Sequence, residues 1–478
     1  MNSLPVVIEI SPAPAVSQAL VQLSRKRNVI LFDSSLIRSP LGRYSFLAAD
    51  PFEVFSISTA SITADPFVRL EELLQKYSTV SIPGLPPFQG GAAGLLSYEL
   101  GRCFERLPAP QRDEFQIPLA IIGLYSWVLA WDHEQGRCWF FGQGFPEELP
   151  SARIRLAEQQ GREVLELLGE MSSDQQCSGR QEDSKNREWT DSDSMLTSNT
   201  DCPLPLFPGL RSNFSREEYL NAVQIVIDKI AAGDIFQANL SQRFVIPARR
   251  DPMEQYLLLR ERNPAPFAGF FAHEDWAVLS SSPERFLQVR NRMVSTRPIK
   301  GTRQRGFIPE VDLYTRDELR ESEKDRAENI MIVDLLRNDL SKVCLPGTIR
   351  VSELCTVEAY QTVSHLVSEI HGTLRPQATF WDLLKASFPG GSITGAPKIR
   401  AMEIITELEQ VARGPYCGSL FYHGFDGTAD SNILIRTMIQ KQSRLMFSAG
   451  GGIVTQSHPV LEYEETLHKV AGLLNSLR

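Results

Sequence analysis

The sequence predicts an α+β fold of mixed α/β layers, with large antiparallel sheets flanked by helices. Three observations carry that expectation. Short apolar runs of strand length recur at Val29–Phe32, Phe52–Ser56, Leu119–Leu129 and Cys138–Phe141, and again at Ile235–Ile246. Helical patterns stand between such runs without strict β-α-β alternation, which argues against a doubly wound parallel sheet. A chain of 478 residues, 42% of them hydrophobic, also supplies a core beyond that of one ordinary domain.

The elements follow in order. The N-terminal half, residues 1–171, is strand-rich and closes on a helical pattern at Ala152–Glu170. Residues 172–205 are rich in Ser, Asp and Gln and lack periodic apolar positions. Such a segment buries too little surface to offset its ordering entropy, so it reads as a flexible polar linker. The C-terminal half, residues 206–478, opens on a well-marked helix. Ser215 and Glu218 make a capping-box pattern, Tyr219, Val223, Val226 and Ile230 repeat at helical spacing, and Gly233 stands where the helix should stop. Further helices are expected over Leu319–Leu340 and Ile399–Leu408, and a strand at Leu445–Ser448.

Composition narrows the function classes. A net charge of −9 gives no basic field for nucleic acid. Seven widely spaced cysteines without a CxxC pair fit a reducing, cytoplasmic setting and exclude a disulfide scaffold. No apolar run reaches the ~18 residues that span a bilayer, and the N-terminus has no secretory pattern.

Chemistry-bearing residues cluster downstream. Asp325, Glu328 and Ile332 share one helix face at i, i+3, i+7, and Glu462, Glu465 and Lys469 repeat the spacing. Two acidic pairs on two helices suit Mg²⁺, which takes one or two carboxylates and keeps several waters. Charged helix faces are more often simply solvated, and only the repeat favours a metal. Gly450-Gly451-Gly452 follows strand-like residues and is expected to turn backbone amides toward an anion, and Gly390–Lys398 leads into a helix N-terminus. Neither run matches a nucleotide-phosphate loop, so a carboxylate is the expected anion. Lys300, in Thr296-Arg-Pro-Ile-Lys-Gly-Thr302, is a candidate nucleophile if desolvated.

Six runs occur in this order: Ser282-Pro-Glu284-Arg-Phe286, Arg297-Pro-Ile-Lys-Gly-Thr302, Met331-Ile-Val-Asp-Leu-Leu-Arg-Asn-Asp339, Gly391-Ser-Ile-Thr-Gly-Ala-Pro-Lys398, Ala449-Gly-Gly-Gly452 and Glu462-Tyr-Glu-Glu-Thr-Leu-His-Lys469. Together they resemble the chorismate-utilising enzymes across the C-terminal half, with a looser match at Leu31-Phe-Asp-Ser34 and Tyr44–Pro51. The resemblance implies a chorismate-binding enzyme fold and an active site built residue by residue. Lys300 would be the nucleophile of members that aminate chorismate at C4, where members that aminate C2 and release pyruvate carry alanine. Gln237 stands where water-adding members carry a basic lysine. Glu284 would be the general acid, Glu328 and Glu465 the Mg²⁺ ligands, and Asp325 and Glu462 carboxylates that hold metal-bound waters. Arg436 and Tyr416, with the amides of Gly450 and Gly452, would take the side-chain carboxylate of chorismate, and His365, Ser392 and Lys469 also fall on site positions. Ser34, Pro266 and Phe267 partly resemble a tryptophan pocket.

Asn329, where the family most often has histidine, and Asp325, where glutamate is usual, depart from the pattern. The implied reaction is chorismate plus ammonia to 4-amino-4-deoxychorismate, toward p-aminobenzoate and folate. The chain has no Gly-x-Cys-x-Gly elbow of its own, so a glutamine amidotransferase partner would supply the ammonia. The alternatives are C2 amination with loss of pyruvate and a non-catalytic module that binds chorismate or tryptophan. A Mg²⁺-dependent hydrolase, read from the acidic helices alone, leaves Lys300 without a role.

Overall fold

A computed structural model describes residues 4–36, 41–58, 65–169, 201–305, 309–359 and 363–478. Two antiparallel sheets stack face to face, one of 13 strands and one of 10. The larger runs in the order Val6–Ile10, Arg137–Gly142, Trp127–Asp132, Tyr44–Ala48, Ile30–Asp33, Phe267–His273, Trp276–Ser282, Thr437–Lys441, Arg444–Ile453, Gln237–Pro247, Arg211–Ser212 and Cys202–Pro203. Gly395–Ala396 also pairs with Gln237–Pro247. The smaller runs Ile299–Gln304, Val363–Thr373, Met293–Thr296, Arg285–Arg290, Ala429–Asn432, Ser419–Gly424, Gly91–Leu96, Ala120–Tyr125 and Glu53–Ile57, with Arg350–Ala359 also on Val363–Thr373.

Strands from both halves of the chain share both sheets. Phe267–His273 joins Ile30–Asp33 with Phe271 opposite Ile30, and Ser419–Gly424 joins Gly91–Leu96 with Ser419 opposite Leu96. The expected division into 1–171 and 206–478 is therefore one of sequence, while the sheets run across it. Of the expected linker, 172–200 lies outside the described residues, and Cys202–Pro203 forms a short strand on Arg211–Ser212.

The strands read as nearly continuous apolar runs because both faces of each sheet are covered. Between the sheets lie Ile30, Phe46, Ala93, Leu95, Ile121, Val128, Val278 and Ile439. On the outer face of the larger sheet, Leu31, Leu129 and Phe140 meet the helices Val16–Leu23, Pro150–Gly169, Pro252–Arg262 and Pro459–Asn475 through Leu20, Val164, Leu259 and Leu473. On the outer face of the smaller sheet, Ala92, Ile122 and Leu124 meet Val68–Lys76, Glu323–Ser341 and Phe380–Ser387 through Leu70, Leu336 and Leu384. The order of layers is helix, sheet, sheet, helix.

Local signals explain the element ends. Ser215 caps Arg216–Ala231 with the reciprocal capping box, and Gly233 takes φ +82° just past its end. The helix expected over Leu319–Leu340 is two, Pro309–Glu321 and Glu323–Ser341. Ser322 divides them, its hydroxyl accepting the Asp325 N–H at 3.3 Å as an N-cap. The strand expected at Leu445–Ser448 runs on to Ile453 and takes in the glycine triplet. Among the described residues no helix is long and apolar enough to cross a membrane.

Asp33 ties the halves together with side chains. Its carboxylate accepts Tyr256 Oη at 2.9 Å and Arg260 Nε at 2.6 Å, both from the Pro252–Arg262 helix. Asp33→Ala leaves that guanidinium without its buried carboxylate, and is expected to cost about 3 kcal/mol. Ser215→Ala, which loses only a cap, should cost about 1 kcal/mol. Urea unfolding midpoints measure both, and equal losses would contradict the bridging role of Asp33.

Candidate active site

A cavity of about 660 Å³ opens where strand ends of both sheets meet the helices Glu323–Ser341 and Pro459–Asn475. Lys300 reaches it from an edge strand whose register shifts between Lys300 and Thr302. Gly301 sits in that shift with φ +71°, and a Cβ there would stand 3.0 Å from the Asp325 carboxylate. The irregularity aims the lysine inward. Glu284 follows the Trp276–Ser282 strand through Pro283. Its backbone is fixed by Ser282 Oγ, which accepts the Glu284 N–H at 3.2 Å, and by the Ile433 N–H, donated to the Glu284 carbonyl at 3.0 Å.

One residue holds both groups. Lys300 Nζ donates to the Ser392 carbonyl at 3.0 Å, and Ser392 Oγ donates to Glu284 Oε1 at 2.9 Å. Burial pushes the Glu284 carboxyl up to about 7, against the Ser392 hydrogen bond and the charge of Lys300. Desolvation lowers the Lys300 ammonium from its ordinary value, while Glu328 and Glu284 hold it up. Burial thus shifts both groups toward their neutral forms, the direction that acid-assisted nucleophilic attack requires.

The acidic residues of the two helices line the same cavity. Asp325 pairs with Arg303 at 3.0 Å, Glu462 with Lys324 at 3.4 Å and Glu465 with Lys469 at 2.6 Å. Burial raises the Glu328 carboxyl pKa, and Lys300 and Lys324 oppose that rise. Burial also raises Glu465, but Lys469 and its neighbours bring it below the ordinary value. Among the described residues no three His, Cys, Asp or Glu side chains form a closed ligand set. The donors nevertheless fit a hard cation that takes one or two carboxylates and keeps its waters. A Cβ on Gly451 would stand 3.5 Å from Glu465 Oε1 and one on Gly452 3.5 Å from Glu328 Oε2, and both carboxylates line the cavity.

A further cation lines the cavity. Arg436, at φ +51°, lines the cavity, and among the described residues no carboxylate pairs with it. Desolvation lowers its pKa, as expected of a guanidinium awaiting an anion. His365 beside it is held near 4 by burial and by that guanidinium, so its imidazole is neutral. Tyr416 is buried and also lines the cavity.

The glycine triplet differs from expectation. It forms no anion-binding turn: Gly450, Gly451 and Gly452 lie in regular pairing with Ser241, Leu240 and Asn239. A Cβ on Gly450 would come within 2.3 Å of the Leu240 carbonyl, and one on Gly452 within 2.2 Å of Gln237 Nε2. Close packing therefore requires glycine here, and Gly450 and Gly452 remain on the cavity wall.

A family model described as chorismate binding enzyme matches residues 32–475. The chain belongs to this family. Aminodeoxychorismate synthase component 1 of Klebsiella aerogenes is 41% identical over 88% of this chain and 84% of its own length. Anthranilate synthase component 1 of Synechocystis sp. is 35% identical over 92% and 88%. Among solved structures, anthranilate synthase component I from Streptococcus pneumoniae TIGR4 superposes with a TM-score of 0.74 at 30% identity, covering 91% of this chain and 93% of that one.

In this chorismate-binding enzyme the cavity gathers Lys300, Glu284, His365, Ser392, Tyr416, Arg436, Lys469 and the four acidic candidates. Gln237 is set apart: it lies buried behind Gly452, and both its amide atoms lack a hydrogen-bond partner among the described residues. Asn329 faces the core, where Ser368 donates to it. Ser34, Pro266 and Phe267 line a second, far smaller cavity of about 70 Å³. Among the wall residues that the sequence reading did not assign to the site are Lys324 and Asn239. Lys324 had a signal, since it stands one turn before Glu328 on one helix; Asn239 had none.

Glu284 makes stability depend on pH. Its folded pKa, about 7, lies above its ordinary 4.5, so its contribution is present below 4.5 and is lost as pH rises through 7. Between pH 5 and 8, wild type should lose up to about 3 kcal/mol relative to Glu284→Gln. Urea unfolding at both pH values tests this, and parallel pH curves would contradict it.

Proposed function

We propose that this chain is an aminodeoxychorismate synthase component 1, which joins chorismate and ammonia to give 4-amino-4-deoxychorismate and water. The observation that carries the reading is a desolvated Lys300 held with the protonatable Glu284 on Ser392. Similarity to synthases of that name over most of the chain supports it.

In the proposed reaction the neutral Lys300 amine attacks C2 of chorismate. Both ring double bonds shift, and the C4 hydroxyl leaves as water with the Glu284 proton. Ammonia then attacks C4, the electrons shift back and the C2–N bond to Lys300 breaks. The proton lost by the adduct nitrogen is returned through Glu284 as that bond opens, and the new C4 ammonium gives its extra proton back to Glu284. One water leaves and one ammonia is gained. Splitting a single substitution into two covalent steps lowers each barrier. Gln237, lacking a basic nitrogen, does not activate water for addition at C2.

Arg436 and Tyr416 would orient the enolpyruvyl carboxylate, since a guanidinium matches a planar carboxylate with two parallel hydrogen bonds. Glu328 and Glu465 would hold Mg²⁺, with Asp325 and Glu462 holding its waters. Bound there, the ion would offset the charge of the ring carboxylate. The ammonia is proposed to come from a glutamine amidotransferase subunit, in the cytoplasm and on the route to p-aminobenzoate and folate. The smaller cavity at Ser34, Pro266 and Phe267 is proposed as a tryptophan pocket, which calorimetry with L-tryptophan checks directly.

Purified protein given chorismate, Mg²⁺ and ammonium is expected to release 4-amino-4-deoxychorismate, identified by mass spectrometry with its enolpyruvyl group retained. Anthranilate with pyruvate would replace this reading with C2 amination. Lys300→Ala should abolish the C4 product, and Glu284→Gln should slow its formation about 10²–10⁴-fold. Glu328→Gln should weaken Mg²⁺ binding in calorimetry, and unchanged binding would remove the metal assignment.

A further inference from the structure

Behind the cavity lies a buried ion pair that none of the roles above uses. Arg413 and Glu409 are each 3% exposed. Arg413 Nε donates to Glu409 Oε2 at 2.9 Å and Nη2 to Oε1 at 2.6 Å, a fork-to-fork pair. Its remaining donors go to backbone: Nη1 to the Ile393 carbonyl at 3.0 Å and Nη2 to the Asn239 carbonyl at 2.6 Å. The guanidinium also lies 4.6 Å from the Tyr98 ring centre and 5.8 Å from that of Tyr416. Glu409 Oε1 further accepts the Ser241 N–H and hydroxyl, at 2.8 and 2.9 Å. The loop that carries Arg413 is clamped from the N-terminal half, because Glu99 accepts the N–H groups of Arg413 and Gly414 at 2.8 and 2.9 Å.

Every backbone group that Arg413 holds belongs to a wall of the site. Ile393 is the neighbour of Ser392, whose carbonyl and hydroxyl hold Lys300 and Glu284. Asn239 lines the cavity from the Gln237–Pro247 strand, and Tyr416 lines it from the loop. We propose that Arg413, locked by Glu409, is a positioning residue that sets the Ser392 turn and thereby the placement of Lys300 and Glu284 against the substrate. It touches neither substrate nor reacting atoms. Its planar fork is what the task needs, since four acceptors on three segments must be met at once from inside the protein; a lysine in its place keeps the charge and loses the geometry. The proposal rests on Lys300 being the nucleophile.

The experiment reads Lys300 directly. Wild type, Arg413→Lys and Glu409→Gln are treated with acetic anhydride across a pH series, and acetylation of Lys300 is quantified by peptide mass spectrometry. The groups that face Lys300, namely Glu284, Glu328, Glu465 and Lys469, are unchanged in all three proteins. In Arg413→Lys the midpoint should rise toward that of an ordinary lysine as water enters the loosened turn. kcat for the C4 product should fall about 10- to 100-fold, with a smaller change in KM. Glu409→Gln should move both in the same direction by less, and it decides the matter if Arg413→Lys does not fold. A lowered melting temperature with an unchanged midpoint and kcat would reduce the pair to a structural role and overturn the proposal. If wild type instead makes a different product, the functional reading fails, while the Lys300 midpoints still decide the positioning role.

Discussion

The face-to-face packing of two antiparallel sheets is the constraint on which everything else depends. Its inner layer draws side chains from both halves of the chain: Phe46 and Ile121 from one, Val278 and Ile439 from the other. Because strands of each half are hydrogen-bonded to strands of the other, neither half has a complete sheet alone. The cavity is a product of that interleaving. Glu284, Arg436 and the glycine strand come off the larger sheet, and Lys300 and His365 off the smaller. Any slippage between the layers would separate the acid from the amine.

The cavity combines charges that would be unfavourable singly. Asp325, Glu462 and Glu465 each have a basic partner, and Lys300 lies between the carboxyls of Glu284 and Glu328. Among the described residues Arg436, by contrast, lines the cavity without a carboxylate partner, while Glu328 is left without a salt bridge among the acidic residues. This polarity suits a small dianion that must be held by one end and reacted at the other.

Much of this was legible in the sequence, and the failures have physical causes. Strand-like runs such as Leu119–Leu129 located real strands, though the run is two strands, Ala120–Tyr125 and Trp127–Asp132. Ordered motifs mark Lys300, Glu284 and Ser392, the family resemblance adds His365, Tyr416 and Arg436, and all six share one cavity. The helix break at Ser322 was missed because the apolar spacing continues across it and only a hydroxyl cap announces it. That the glycine triplet is strand was not legible, since nothing in glycine's own chemistry separates a flexible loop from a strand with no room for side chains; only the positions of Leu240 and Gln237 decide. Arg413 was invisible for a different reason. Its partners lie at Asn239, Ile393 and Glu409, and the two of its four hydrogen bonds that reach Asn239 and Ile393 involve no pattern that spacing could reveal.

The strand Gly450–Gly452 has a further consequence. A cavity floor made of bare backbone has no rotamers, so it cannot be tuned by conservative substitution in the way a wall can. Adding even a methyl group at Gly450 or Gly452 collides with atoms of the neighbouring strand. Changes of chemistry in this cavity are therefore open to side chains on its walls, such as Lys300, while the backbone at Gly450 and Gly452 has no room for any. The rigidity that fixes the substrate also limits where its chemistry can evolve.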